Sequence, residues 1–132
     1  MDMGMMDQAM PGMDMAAMQR LIDAASACEQ ACTMCAGSMG VEGMDRCCAM
    51  CMNCADMCNT TMRMMLRPAG MDMDSMMAML QANMVMCNAC AAECEQHDMQ
   101  VCRMCAEACR EMARACEAMM TSMKSMAPAT NA

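Results

Sequence analysis

The chain has 132 residues, 31 of them Met and 15 Cys, with no Phe, Tyr or Trp and a formal net charge of −8. That acidity excludes nucleic acid, which demands a basic face, and no run of about 18 apolar residues offers a membrane span. Three leucines, three valines and one isoleucine cannot fill an ordinary aliphatic core, so any core here is sulfur and methyl groups.

β-Branched and aromatic residues are scarce, while good helix formers abound, so the expected fold class is all-α. Residues 1–13 read as a Met-rich flexible tail. Their opening, "MDMGMMDQAM", is acidic and lacks the basic start and apolar stretch of a signal peptide. Asp14 is a cap for a first helix over about 14–36, closed by Gly37. A second helix over about 44–67 follows the loop "GSMGVEG" and stops at Pro68. The third covers about 72–96, with Asp72, Asp74 or Ser75 as cap. The fourth covers about 98–125, with Asp98 as cap, and residues 127–132 form a flexible C-terminus. Four helices over 14–126 with short connections predict an antiparallel up-down-up-down four-helix bundle.

Each helix carries a stripe in steps of three and four, the seam positions of a bundle. The first offers Met18, Leu21, Ala25, Cys28, Cys32 and Cys35. The second offers Met44, Cys47, Cys51, Cys54, Cys58, Thr61 and Met65. The third offers Met73, Met76, Leu80, Asn83, Cys87, Cys90, Cys94 and His97. The fourth offers Cys102, Cys105, Cys109, Met112, Cys116, Met119, Met123 and Met126. Cysteines come late in the odd helices and early in the even ones. An up-and-down arrangement therefore gathers them at one end and most methionines at the other.

An odd cysteine count, crowded on single helix faces, argues against a disulfide scaffold. Thiolates and thioethers select Cu(I), zinc or iron–sulfur clusters. From Cys48 the spacing C-x2-C-x2-C-x3-C resembles a ferredoxin run. From Cys47 the same stretch is a helical stripe, and the same stepping recurs in the other three helices. Zinc takes imidazole readily and has little use for Met, whereas Cu(I) accepts both kinds of sulfur. Cu(I), in multiple ions per chain, is the expected cargo. An iron–sulfur or zinc protein, or a Met-rich helical groove for partner helices, are the alternatives. No nucleophile–base pair is visible, so no catalysis is expected.

The segment "CNACAAECEQHDMQVCRMCAEACREMARAC", Cys87 to Cys116, resembles the third and fourth helices of the bacterial copper storage proteins. "CEQACTMC" and "CCAMCMNCADMC" resemble their first two. The resemblance implies a Cys-lined bundle storing Cu(I) and a homo-oligomer. It implies Cys28, Cys32, Cys35, Cys47, Cys51, Cys54, Cys58, Cys87, Cys90, Cys94, Cys102, Cys105, Cys109 and Cys116 as copper ligands. Met112 stands where the repeat would place another Cys. Further candidates are Cys48, Met112, Met18, Met65, Met73, Met76, Met119, Met123 and Met126, with the Met end for copper uptake or additional binding. His97 is either a ligand or a helix-junction hydrogen bonder. A copper chaperone is the candidate donor. Methionine ligands suit oxidising compartments, which leans the expectation towards an exported protein, although a cytosolic site keeps thiols reduced more easily.

Overall fold

The computed structural model describes residues 12–38, 40 and 42–126. The expected tail over residues 1–11 and the expected C-terminus over 127–132 lie outside them. Four long helices carry the fold: α1 (Met15–Gly37), α2 (Asp45–Met65), α3 (Met73–Cys94) and α4 (Gln100–Met126). A single 3-10 turn, Pro68–Gly70, joins α2 to α3, because proline fits the first position of a helical turn but cannot continue α2.

The helix starts follow from side-chain chemistry. Asp14 accepts a hydrogen bond from the Ala17 N–H at 3.0 Å, and Asp72 accepts from the Ser75 N–H at 3.0 Å and from its hydroxyl. Each satisfies a backbone donor that the first helical turn leaves free. Asp98 does not cap α4. Its carboxylate accepts from Arg103 at 2.6 Å, and the first α4 bond runs from the Arg103 N–H to the Met99 carbonyl. Two residues of the expected helix start are thus spent in the turn. Gly43 has φ 89°, a left-handed conformation that only glycine adopts without strain, and it turns the chain into α2.

Neighbours in sequence pack together and α1 closes the ring against α4, so the diagonals α1/α3 and α2/α4 face each other only across the centre. All helices run antiparallel to their neighbours. The α1/α4 register is set by the pairs Cys35–Cys102, Cys32–Cys105 and Cys28–Cys109. The α2/α3 register is set by Cys47–Cys94, Cys51–Cys90 and Cys54–Cys87. Arg20–Glu111 at 2.9 Å and Arg46–Glu93 at 3.0 Å pin the same helix pairs on the outside; such exposed pairs contribute little.

The core is a single cluster of Cys, Met and Ala with Leu21, Ile22 and Leu80. Met18, Met65, Met76, Met112, Met119 and Met123 are buried at the end where α2 passes into α3. Met13, read from sequence as the edge of the tail, is buried too. No helix among the described residues is long and apolar enough to cross a membrane.

Candidate metal centre

All fifteen cysteines are free thiols, and fourteen of them are buried. Twelve fall into five groups of four whose sulfurs all lie within 4.8 Å of one another. Taken from the middle of the bundle towards the α1–α2 loop, the first group is Cys28, Cys54, Cys58 and Cys87. The second is Cys28, Cys32, Cys54 and Cys109, and the third is Cys32, Cys90, Cys105 and Cys109. The fourth is Cys51, Cys90, Cys94 and Cys105, and the fifth is Cys35, Cys47, Cys51 and Cys94. Every group shares two sulfurs with the next, so the thiols form one continuous ladder along the axis. Sulfurs three or four residues apart lie one above the other on a helix face, and the antiparallel register brings each such rung against its partners.

The ladder shares its protons. Hydrogen bonding with Cys109 holds both Cys28 and Cys54 well below the usual thiol range, and hydrogen bonding with Cys105 brings Cys51 down to about 4. Their partners move the other way: Cys109 is pushed up by its bonds with Cys105 and Cys28, and Cys32 by its bonds with Cys105 and Cys109. Burial pushes Cys47 up to about 12, helped by the charge of Cys51. Neighbouring sulfurs therefore differ in how readily they give up a proton, each one's charged form favoured or opposed by the thiols around it. A soft cation entering such a lattice displaces protons from sulfurs that are already in place.

Three cysteines stand outside the groups. Cys102 lies 3.8 Å from Cys35 and extends the ladder towards the loop end. Cys116 is fully buried in the thioether half, where burial and the charges of Cys28 and Cys54 push it up to about 12. Cys48 is only partly buried, and its thiol donates to the Ala36 carbonyl at 3.6 Å. The ferredoxin-like run beginning at Cys48 is therefore not a loop around one cluster. It lies within α2, with Cys48 turned away from Cys51, Cys54 and Cys58.

His97 lies at the loop end, where its Nε2 meets Glu93 at 3.0 Å, and it joins no thiol group. Met18, Met65, Met76, Met112, Met119 and Met123 are buried together; Met73 and Met126 are half-buried at the same end. The α1/α4 register continues through Ala25 opposite Met112 to Leu21 opposite Cys116, so Met112 is the first seam thioether on α4 beyond the thiol ladder.

A polar pair marks that boundary. Asn83 and Thr61 are both fully buried. The Asn83 amide donates to the Thr61 hydroxyl at 2.7 Å and to the Met57 carbonyl at 3.3 Å. Its carbonyl oxygen accepts from Cys87 at 3.3 Å and Cys58 at 3.6 Å. Both residues stand on the seam stripes, yet sequence reading assigned them no role. The available signal was a polar side chain at a seam position.

A profile of the family described as "Csp: Copper storage protein" matches residues 14–121. The chain belongs to the copper storage protein family. The fold agrees with solved members. A structure of the copper storage protein Ccsp from Streptomyces lividans loaded with 10 copper equivalents is 35% identical, with a TM-score of 0.83, covering 92% of this chain and 99% of that one. A structure described as copper loading to a cytosolic copper storage protein from the same organism, with five coppers, is 38% identical, with a TM-score of 0.77 and coverage of 80% and 93%. Apo copper storage protein 3 from Bacillus subtilis is 28% identical, with a TM-score of 0.69 and coverage of 77% and 97%. Among curated proteins, none matches the chain significantly. The all-α bundle and the family resemblance read from sequence are borne out. The lean towards export draws no support from these relatives.

Proposed function

We propose that the protein sequesters and stores many Cu(I) ions in the interior of its bundle, with the ladder of thiols as the store. The observation that carries this is the ladder itself: twelve buried cysteines in five overlapping groups, with neighbouring sulfurs 3.4–4.0 Å apart. A cation with bonds of about 2.3 Å to three sulfurs holds them about 4.0 Å apart, so three-coordinate Cu(I) needs little rearrangement. Membership of the copper storage family and the copper-loaded relatives support the same cargo.

In this reading the ladder cysteines, Cys102 and Cys116 are the thiolate ligands. The buried methionines, with Met73 and Met126, form the end where copper is taken up or held more weakly. Cys48 and His97 lie outside the ligand set. No catalytic step is assigned. Fifteen free thiols fit a reducing compartment, and the cytosolic description of the Streptomyces relative supports the cytosol over export. Copper delivery by a chaperone and homo-oligomer formation belong to the same proposal. The outer α2–α3 face, where Val85 is 56% exposed beside Met50, Met57 and Met86, is an apolar surface suited to self-association.

Titration of the reduced apo-protein with Cu(I) under anaerobic conditions, followed by native mass measurement, tests the reading. Charge balance between Cu(I) and thiolate predicts roughly 12–18 ions per chain, because excess buried charge is costly. Saturation at about four ions or fewer, which single isolated sites would give, overturns it.

A further inference from the structure

The spacing of the sulfurs fits a second kind of cargo. Zinc binds thiolate at about 2.3 Å and is tetrahedral in closed sites, which sets its four sulfurs about 3.8 Å apart. In the group Cys28, Cys32, Cys54 and Cys109, five of the six sulfur–sulfur edges are 3.9, 3.9, 3.7, 3.7 and 3.9 Å. The sixth, Cys32 to Cys54, is within 4.8 Å. This is a near-tetrahedral set of four sulfurs, contributed by three helices, with no oxygen or nitrogen ligand required. A linear two-coordinate ion with bonds of similar length would hold its sulfurs about 4.6 Å apart, so the cage is sized for more than two ligands.

A second group is as close-set around one of its sulfurs. In the fourth group Cys51 lies 3.7, 3.8 and 3.8 Å from Cys94, Cys105 and Cys90. Because successive groups share two sulfurs, unshared occupation uses the first, third and fifth groups and spends each of the twelve cysteines once. That arrangement holds three ions. Each isolated tetrathiolate carries about −2, a cost that bridging relieves: five divalent ions on twelve thiolates leave only about −2 in total.

We propose that the copper-free, reduced chain binds three to five zinc ions in these tetrathiolate cages, so that the bundle is a soft-metal store whose zinc and copper loads exclude each other. Zinc binding releases the thiol protons without any redox step. Copper displaces zinc because both use the same sulfurs and thiolate favours Cu(I).

The test uses the full chain, reduced and copper-free, with oxygen excluded. Zn(II) is added and the ions per chain are counted by native mass; Co(II) is added in parallel as a visible probe. The expected result is three to five ions of either metal, with the intense long-wavelength bands of a four-sulfur cobalt site. The Cys28→Ala/Cys54→Ala double variant loses the first two cages and should hold fewer ions with helical content retained by circular dichroism. Cys48→Ala, outside the ladder, should match the parent. Cu(I) added to the zinc form should release all zinc. Fewer than three ions, a cobalt spectrum of oxygen or nitrogen ligands, or zinc retained beside a full copper load would each overturn the proposal. Copper capacity measured on the same sample stands or falls independently.

Discussion

Replacing Asn83 by Leu removes the polar pair that separates the two halves of the core. The variant loses a buried 2.7 Å hydrogen bond to Thr61 and a longer one to the Met57 carbonyl. It leaves the Thr61 hydroxyl buried without its donor. An orphaned buried polar group costs about 1–3 kcal/mol. The weak thiol donors Cys58 and Cys87 add little, so the expected loss for Asn83→Leu is about 2 kcal/mol. Thr61→Val, which orphans part of the Asn83 amide, should cost about 1–2 kcal/mol. With both partners apolar no group is orphaned, and the double variant should recover about 1 kcal/mol relative to the sum of the two singles. The assay is urea unfolding of the reduced apo-protein. Far-UV circular dichroism is the signal, since the chain has no aromatic residue to fluoresce. Additive losses across the cycle, or an Asn83→Leu variant as stable as the parent, would refute the account of this pair.

Replacing Met18, Met73, Met76, Met119, Met123 and Met126 with Leu keeps volume similar; copper uptake from a chelator should slow while thiolate capacity stays nearly intact, and equal loading rates would sink the uptake role. Copper should raise the unfolding temperature strongly, since a ligand at 1,000 times its dissociation constant stabilises by about 4 kcal/mol per site; an apo form melting as high as the loaded one contradicts this. Arg20 and Arg114 hold the Glu111 carboxyl below the usual range. Its stabilisation is therefore present above the ordinary glutamate pKa of about 4.3 and fades as pH falls through the lower folded value. Glu111→Gln should accordingly cost apo stability at pH 7, by no more than about 1 kcal/mol for so exposed a pair. At pH 2 the variant and parent should unfold at the same urea concentration.

The stripes of Cys and Met made the bundle legible, because a period of three and four fixes which side chains face inward before any contact is known. The ends of the helices were less so. Asp98 has the chemistry of a cap, but Arg103 competes for its carboxylate, and sequence does not rank those two partners. Cys48, which opens the ferredoxin-like spacing, was counted among the candidate ligands; one residue is about 100° on a helix, enough to put it outside the thiol groups that Cys47 joins. The ladder could not be read at all. Which sulfur meets which depends on the vertical offset between helices, and that offset is set by loops and packing rather than by spacing along one strand of sequence. The same holds for Asn83 and Thr61, whose stripe positions were evident and whose partnership was not.

Every cage in the ladder takes its sulfurs from three helices and omits the fourth. From the thioether side towards the loops, the omitted helix is α4, then α3, α2, α1 and α4 again. The cages therefore wind around the bundle axis like steps on a spiral staircase, a quarter turn at a time. Ions seated in any two consecutive cages would clasp all four helices between them. Filling thus laces the bundle shut from whichever rung is loaded first, and no helix can peel away until the rungs that hold it are emptied. A protease or an unfoldase meeting this protein would read its load mechanically: the empty bundle opens at its seams, while the full one has no loose helix to grip.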